Sequence, residues 1–211
     1  IDIHNPRIKE ISDALWNESK GNIIDYARLC YEHVGANYKY LNPNTGIHKI
    51  ASTLSIGGGD CGNLASIFVN LLRAKQIPAR HIVTVRPNGT FHVWADFYLE
   101  KYGWIPVDAN MKLDHPEGNY FGYCRGDGIV MSEDICHEVE TEPGRTFNTA
   151  ILQNFLYWYG SNSGTKIAAT HHIEGKPIQS STDLTTSNIK HSKATLNWNK
   201  VKGATGYRIK L

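Results

Sequence analysis

Residues 57–72 read GGGDCGNLASIFVNLL. Three glycines close a run, 41–59, that is rich in Asn, Gly, Ser and Thr and reads as a loop. Asp60 is a residue type that caps helices, accepting the free N–H groups of the first turn. Leu64, Ile67, Phe68, Leu71 and Leu72 then recur at i, i+3, i+4, i+7 and i+8, the spacing of one buried helical face. Pro78 disfavours helical geometry at the residue before it, so the helix is expected to stop near Gln76. Cys61 thus stands in the first turn of a capped helix, directly after a glycine-rich loop.

That position has chemical consequences. Unpaired backbone N–H groups and the positive end of the helix dipole converge on the first turn. Both favour thiolate over thiol, which makes a cysteine nucleophilic. The same N–H groups can hold an oxyanion formed when sulfur attacks a carbonyl, and glycines let a substrate backbone come close. The plain alternative is a cysteine buried at a helix start, a common situation.

Upstream, two helical patterns precede the loop. Ile8, Ile11, Leu15 and Trp16 form one, and Ile23, Tyr26, Ala27, Cys30 and Val34 the other. Cys30 lies on the apolar face of the second and reads as a small buried hydrophobe. Downstream, three strands follow. His81–Arg86 is the first, and Pro87-Asn88-Gly89 turns the chain. In Phe91–Leu99, Phe91, Val93, Ala95, Phe97 and Leu99 face one way, while His92, Trp94, Asp96 and Tyr98 face the other. Trp104–Val107 is the third. Helices followed by an antiparallel sheet indicate an α+β domain.

A turn near Glu100 or Lys101 brings His92 opposite a residue close to Asp108, so the two side chains are expected as cross-strand neighbours. A carboxylate there can accept one imidazole N–H, fixing the tautomer and leaving the other nitrogen for a nucleophile. Alone, a His/Asp pair reads as a surface histidine beside a strand-end aspartate. With an activated cysteine upstream it reads as a Cys61–His92–Asp108 acyl-transfer site.

Four blocks carry a resemblance: 59–65 (GDCGNLA), 77–80 (IPAR), 91–94 (FHVW) and 103–108 (GWIPVD). In this order and spacing they resemble the transglutaminase-like superfamily, over roughly residues 20–110. Asp25-Tyr26 and Tyr38-Lys39-Tyr40 fit the helix and segment that precede that core. The resemblance implies a papain-like fold, with a central cysteine-bearing helix packed on an antiparallel sheet and with Cys61, His92 and Asp108 as triad. Papain-like enzymes often place a polar side chain several residues before the cysteine. Ser55 stands near there and Asn63 just after, so both are oxyanion or substrate candidates beside the Cys61 N–H. Trp94 and Trp104 are candidates for the wall of an acyl channel, with sheet packing as the alternative. Arg80 is expected in a structural ion pair.

The other features set limits. With 41% apolar and 20% charged residues the chain is expected to fold, and a formal net charge of +2 without a basic stripe gives no case for nucleic acid. No apolar run is long enough to span a bilayer. The four cysteines, Cys30, Cys61, Cys124 and Cys136, match no common zinc spacing, and no acidic cluster has the spacing of a calcium loop, so neither metal nor cofactor is expected. A Cys124–Cys136 disulfide is the alternative in an exported protein. The run Phe155–Tyr159 reads as core or edge-strand packing, or else as a sugar platform.

Three parts are expected: a catalytic domain over 1–160, a linker or peripheral strands over 161–190, and 191–211. The last, through Leu196-Asn197-Trp198 and Gly203–Ile209, resembles the opening strands of a fibronectin type III module. Such modules are typical of exported bacterial enzymes, and the chain opens on Ile1 rather than Met, so a removed leader and an extracytoplasmic location are expected. The resemblance implies attack on an amide, an acyl-thioester, and hydrolysis rather than cross-linking of a protein, peptide or peptidoglycan-like substrate. The rival is a non-catalytic module on the same fold that binds a peptide or glycan.

Overall fold

The computed structural model describes residues 1–42, 46–86, 88–126, 128–142, 144–152, 185–190 and 193–197. The chain divides into two compact units, Ile1–His171 and His172–Leu211.

The first unit opens with two capped helices. In α1 (Pro6–Glu18), the Asn5 side chain accepts from the Arg7 and Ile8 N–H groups, and Pro6 starts the helix, where its missing N–H costs nothing. In α2 (Ile23–Asn37), Asn22 plays the same part. Ile8, Ile11, Tyr26, Ala27, Cys30 and Val34 are buried, as their spacing requires. The Tyr26 hydroxyl donates to the Leu71 carbonyl at 2.6 Å and meets Ser12 Oγ at 2.9 Å, tying both helices to the next.

That next element is the centre of the unit. Helix α4 (Cys61–Ala74) is buried from Gly62 to Leu72, not on one face alone. It packs against both N-terminal helices and against the sheet. Its polar residues are therefore bonded inside the core. Asn70 accepts from the Asp2 N–H at 2.8 Å and donates to Ser66 O at 2.7 Å.

The sheet runs β5-β4-β3-β6, antiparallel throughout, from β3 (Ala79–Val85), β4 (Phe91–Leu99), β5 (Gly103–Val107) and β6 (Ile129–Glu133). Val93, Ala95 and Phe97 of β4 belong to the core cluster with Phe68 and Leu72 of α4. The opposite face is covered as well: His92, Trp94 and Asp96 are all buried. A surface histidine, the plain reading of the strand, is not what is found.

The stretch 41–59 is more structured than its composition suggests. It holds a seven-residue helix, α3 (Ile50–Ile56), with Ile50 and Thr53 buried, which ends at Gly57 in the left-handed region (φ 80°). Two-residue strands β1 (Lys39–Tyr40) and β2 (Gly58–Gly59) pair in parallel on either side of it. Beyond β5, a short helix α5 (Ala109–Asp114) and a hairpin of β7 (His137–Glu142) with β8 (Arg145–Thr149) appear where the sequence offers no periodicity.

In the second unit, β9 (Thr185–Lys190) pairs antiparallel with β10 (Lys193–Asn197). The aromatic run Phe155–Tyr159 and the segment 198–211 lie outside the described residues, as does most of 161–190.

Candidate active site

Cys61 is the first residue of α4 and half-buried. The loop before it is held by one carboxylate. Asp60 Oδ1 accepts from the backbone and side-chain nitrogens of Asn63 at 3.0 and 2.9 Å, and Oδ2 from the Gly46 N–H at 2.8 Å. The cap therefore serves Asn63, and the Cys61 N–H stands ahead of the first intrahelical bond, the one Leu64 makes to Asp60 O.

His92 stands near the start of β4. Its Nε2 meets Asp108 Oδ2 at 2.6 Å, with both residues buried. Ala95 pairs with Val107, which centres the hairpin on Lys101. That register sets Asp108 level with Trp94, one diagonal step from His92, so proximity was readable though the pair is not directly opposed. Asp108 Oδ1 accepts from the Met111 N–H at 3.0 Å, capping α5. Both carboxylate oxygens are thus committed, one to the imidazole and one to a helix. Burial works against a charged His92, but the hydrogen bond with Asp108 and the influence of Cys61 outweigh it, and the ring is pushed up to about 9. Cys61 acts here both as hydrogen-bond partner and as charge, so thiol, imidazole and carboxylate form one electrostatic unit. With Nε2 on Asp108, Nδ1 is the nitrogen left for Cys61.

The secondary candidates are placed elsewhere or spent. Asn63 is fully buried; its amide donates to Gly46 O (2.7 Å) and Asp60, and its oxygen accepts from the His48 N–H (2.9 Å) and Thr53 Oγ1 (3.3 Å). It braces the loop and has no N–H left for an oxyanion. Ser55 is exposed, two residues or roughly 200° round α3 from Thr53, which faces α4. Trp94 shares the face of His92, with ring centroids 6.1 Å apart, but its indole N–H goes to Asp96 Oδ1 at 3.2 Å. Trp104 pairs with Tyr98, six residues along the strand from His92 and so roughly 20 Å away. It lies under the Arg80 guanidinium (4.0 Å), which also pairs with Asp96 (3.5 Å) and Glu133, the structural network expected of Arg80. A cavity of about 530 Å³ opens beside this network, among Arg73, Pro78, Arg80, Trp104 and Asp134, not at the triad.

None of the four cysteines is in a disulfide, Cys124 and Cys136 included. Among the described residues no cluster of His, Cys, Asp and Glu is arranged to hold a metal, and no helix is long and apolar enough to cross a membrane. One residue near the thiol was not singled out from sequence as a site residue. Tyr40, on β1, has its phenol pKa raised by partial burial and by the charges of Cys61, Asp60 and Asp114. A two-residue strand carries no periodic signal that could have marked it.

Residues 9–109 match the model of the transglutaminase-like superfamily. They form a transglutaminase-like domain. The match runs one residue past Asp108 and so spans Cys61, His92 and Asp108. An uncharacterised protein of Haemophilus influenzae is 33% identical over an 88-residue alignment covering 30% of this chain and 24% of that protein. Among solved structures, the periplasmic domain of TgpA from Pseudomonas aeruginosa is 21% identical (TM-score 0.43), over 54% of this chain and 46% of that one. LapG of Legionella pneumophila is 17% identical (TM-score 0.39), over 63% and 83%. The chain thus spans about a quarter of the Haemophilus protein and less than half of the TgpA chain.

Proposed function

We propose that the transglutaminase-like domain is a cysteine-dependent acyl-transfer enzyme that hydrolyses amide bonds in a protein, peptide or peptidoglycan-like substrate outside the cytoplasm. The observation that carries this is the buried 2.6 Å contact between His92 and Asp108, joined electrostatically to Cys61 at a helix start. His92 takes the Cys61 thiol proton, Sγ attacks the amide carbonyl and the C=O electron pair moves to oxygen. When the pair returns, the C–N bond breaks and the amine leaves with the proton from His92, giving an acyl-thioester. Water attacks the thioester, His92 takes its proton, and the carboxylic acid leaves as the thiol re-forms. Asp108 stays ionised and holds the ring. No cofactor enters.

Turnover of an acyl-amide library by wild type and by Cys61→Ala tests this. Hydrolysis present in wild type and absent in Cys61→Ala is expected; equal activity in both sinks the reading. Adding a primary amine separates outcomes: free acid as the main product supports hydrolysis, and amide exchange as the main product replaces it with transamidation.

A further inference from the structure

A second histidine lies behind the nucleophile, in contacts that the triad does not use. His81 of β3 and Ser66 of α4 are both buried. Ser66 Oγ lies 2.9 Å from His81 Nε2 and donates to the Gly62 carbonyl at 2.9 Å, while His81 Nδ1 lies 3.5 Å from Asp134 Oδ1. The chain of contacts thus runs from Asp134 through the ring and the hydroxyl to the residue that follows Cys61.

These three contacts have two protons between them. A neutral imidazole carries one N–H and a serine one O–H, and burial keeps this ring neutral. Either both protons point towards Gly62, with Nε2–H donating to Ser66 Oγ and the hydroxyl to the carbonyl, or both point towards Asp134, with the hydroxyl donating to Nε2 and Nδ1–H to the carboxylate. Distance decides between them. The Asp134 contact is at the outer limit of a hydrogen bond, and the Arg73 guanidinium already holds Asp134 Oδ2 at 2.5 Å. The Gly62 contact has an ordinary length.

The Gly62 end matters for the chemistry. Glycine is the weakest helix former after proline, so the turn that carries the Cys61 thiol and N–H has little rigidity of its own. The Ser66 hydroxyl adds a bond to that turn from within the core. His81 in turn pairs with Ala95 of β4, the strand that carries His92. The chain therefore ties the nucleophile's turn to the sheet that bears its base.

We propose that His81 is a positioning residue for Cys61: it donates from Nε2 to Ser66 Oγ, commits the Ser66 hydroxyl to the Gly62 carbonyl, and so holds the first turn of α4 in place. Neither proton is transferred. This rests on Cys61 being the nucleophile.

NMR correlation of ring protons with ring nitrogens in the wild type at neutral pH reads the tautomer directly, and the proton is expected on Nε2. Two amides then separate positioning from packing. Glutamine at 81 reaches the place of Nε2 and can still donate to Ser66; asparagine reaches only the place of Nδ1. Cys61 is probed with iodoacetamide, which alkylates without an oxyanion, and with p-nitrophenyl acetate, which acylates through one, both read by mass spectrometry on the peptide that contains it. In His81→Asn and in Ser66→Ala, acylation is expected to fall about 10-fold with alkylation unchanged, while His81→Gln stays near the wild-type rate. Circular dichroism confirms that each variant is folded, and the wild-type tautomer needs no variant. A proton on Nδ1, equal losses in His81→Gln and His81→Asn, unchanged acylation in folded Ser66→Ala, or acylation and alkylation falling together overturns the proposal but leaves the enzyme reading intact. No acylation of wild-type Cys61 overturns both.

Discussion

Asp108→Asn tests the electrostatics of the site with little change of shape. In wild type, His92 is raised from 6.5 to about 9 by Asp108 and Cys61 against the cost of burial. At 1.36 kcal/mol per pKa unit, that raise amounts to about 3 kcal/mol favouring the protonated ring. The sign follows from proton counting. Between pH 6.5 and 9 the folded chain keeps a proton that the unfolded chain releases, so stability is full below 6.5 and is lost as pH rises through 9. An Asn at 108 still offers an oxygen to the Met111 N–H and so keeps the α5 cap, but its amide would face Nε2 as a donor, and burial then governs the ring. The variant is expected to titrate well below 9 and to lose the stability slope between pH 7 and 9. Cys61→Ser should also lower the titration, because Cys61 is among the groups that hold it up. Urea unfolding at pH 7 and 9, with NMR titration of the His92 ring, measures both quantities. A wild-type His92 titrating near 6.5, or an equal pH slope in wild type and Asp108→Asn, refutes the reasoning.

His81 should behave in the opposite sense: burial, with Arg73 and the N-terminus, lowers its pKa against the pull of Asp134, so stability falls as pH drops below 6.5, where the unfolded chain binds a proton that the folded one refuses. His81→Gln should remove that part of the acid slope in urea unfolding at pH 5 and 7, and an unchanged slope would count against it. Gly58→Ala sets a Cβ against the Lys39 carbonyl and should cost roughly 1–3 kcal/mol, lowering the melting temperature, while acylation of Cys61 falls with the displacement of β1. Tyr26→Phe removes the 2.6 Å bond to Leu71 O and leaves that buried carbonyl the longer 3.5 Å contact from Ser12 Oγ, a loss of about 1 kcal/mol visible in a thermal melt.

What could be read from sequence was local. Asp60 as cap, the heptad-like face of α4 and the alternation of β4 each show within ten residues, and the turn at Lys101 carries the proximity of His92 to Asp108. What could not be read depends on partners far along the chain. The β1–β2 pair is two residues long and exists because Gly58 admits the Lys39 carbonyl. Helix α5 has six residues, too few for a period, and its cap was already counted as the end of a strand. Asn63 illustrates the converse: a polar residue beside the nucleophile suggests chemistry, yet its amide is used up in holding 46–48 and α3 to α4. The polar face of β4 is buried for a similar reason, since its cover comes from outside its own pattern.

The same contacts tie the sides of the site together. Asp108 ends the sheet and starts α5, so the oxygen that orients His92 is fixed by a helix cap. Helix α5 in turn touches α2 and β1. Cys61 and His92 stand on α4 and β4, and α5, which Asp108 caps, touches α4 as well. Disturbing α5 should therefore be felt at His92 through the Asp108 cap. Met111→Pro removes the N–H that holds Asp108 Oδ1 at 3.0 Å. In that variant acylation by p-nitrophenyl acetate is expected to fall much further than alkylation by iodoacetamide. Equal losses in both would mean that α5 supports α4 alone and that the coupling through Asp108 is absent.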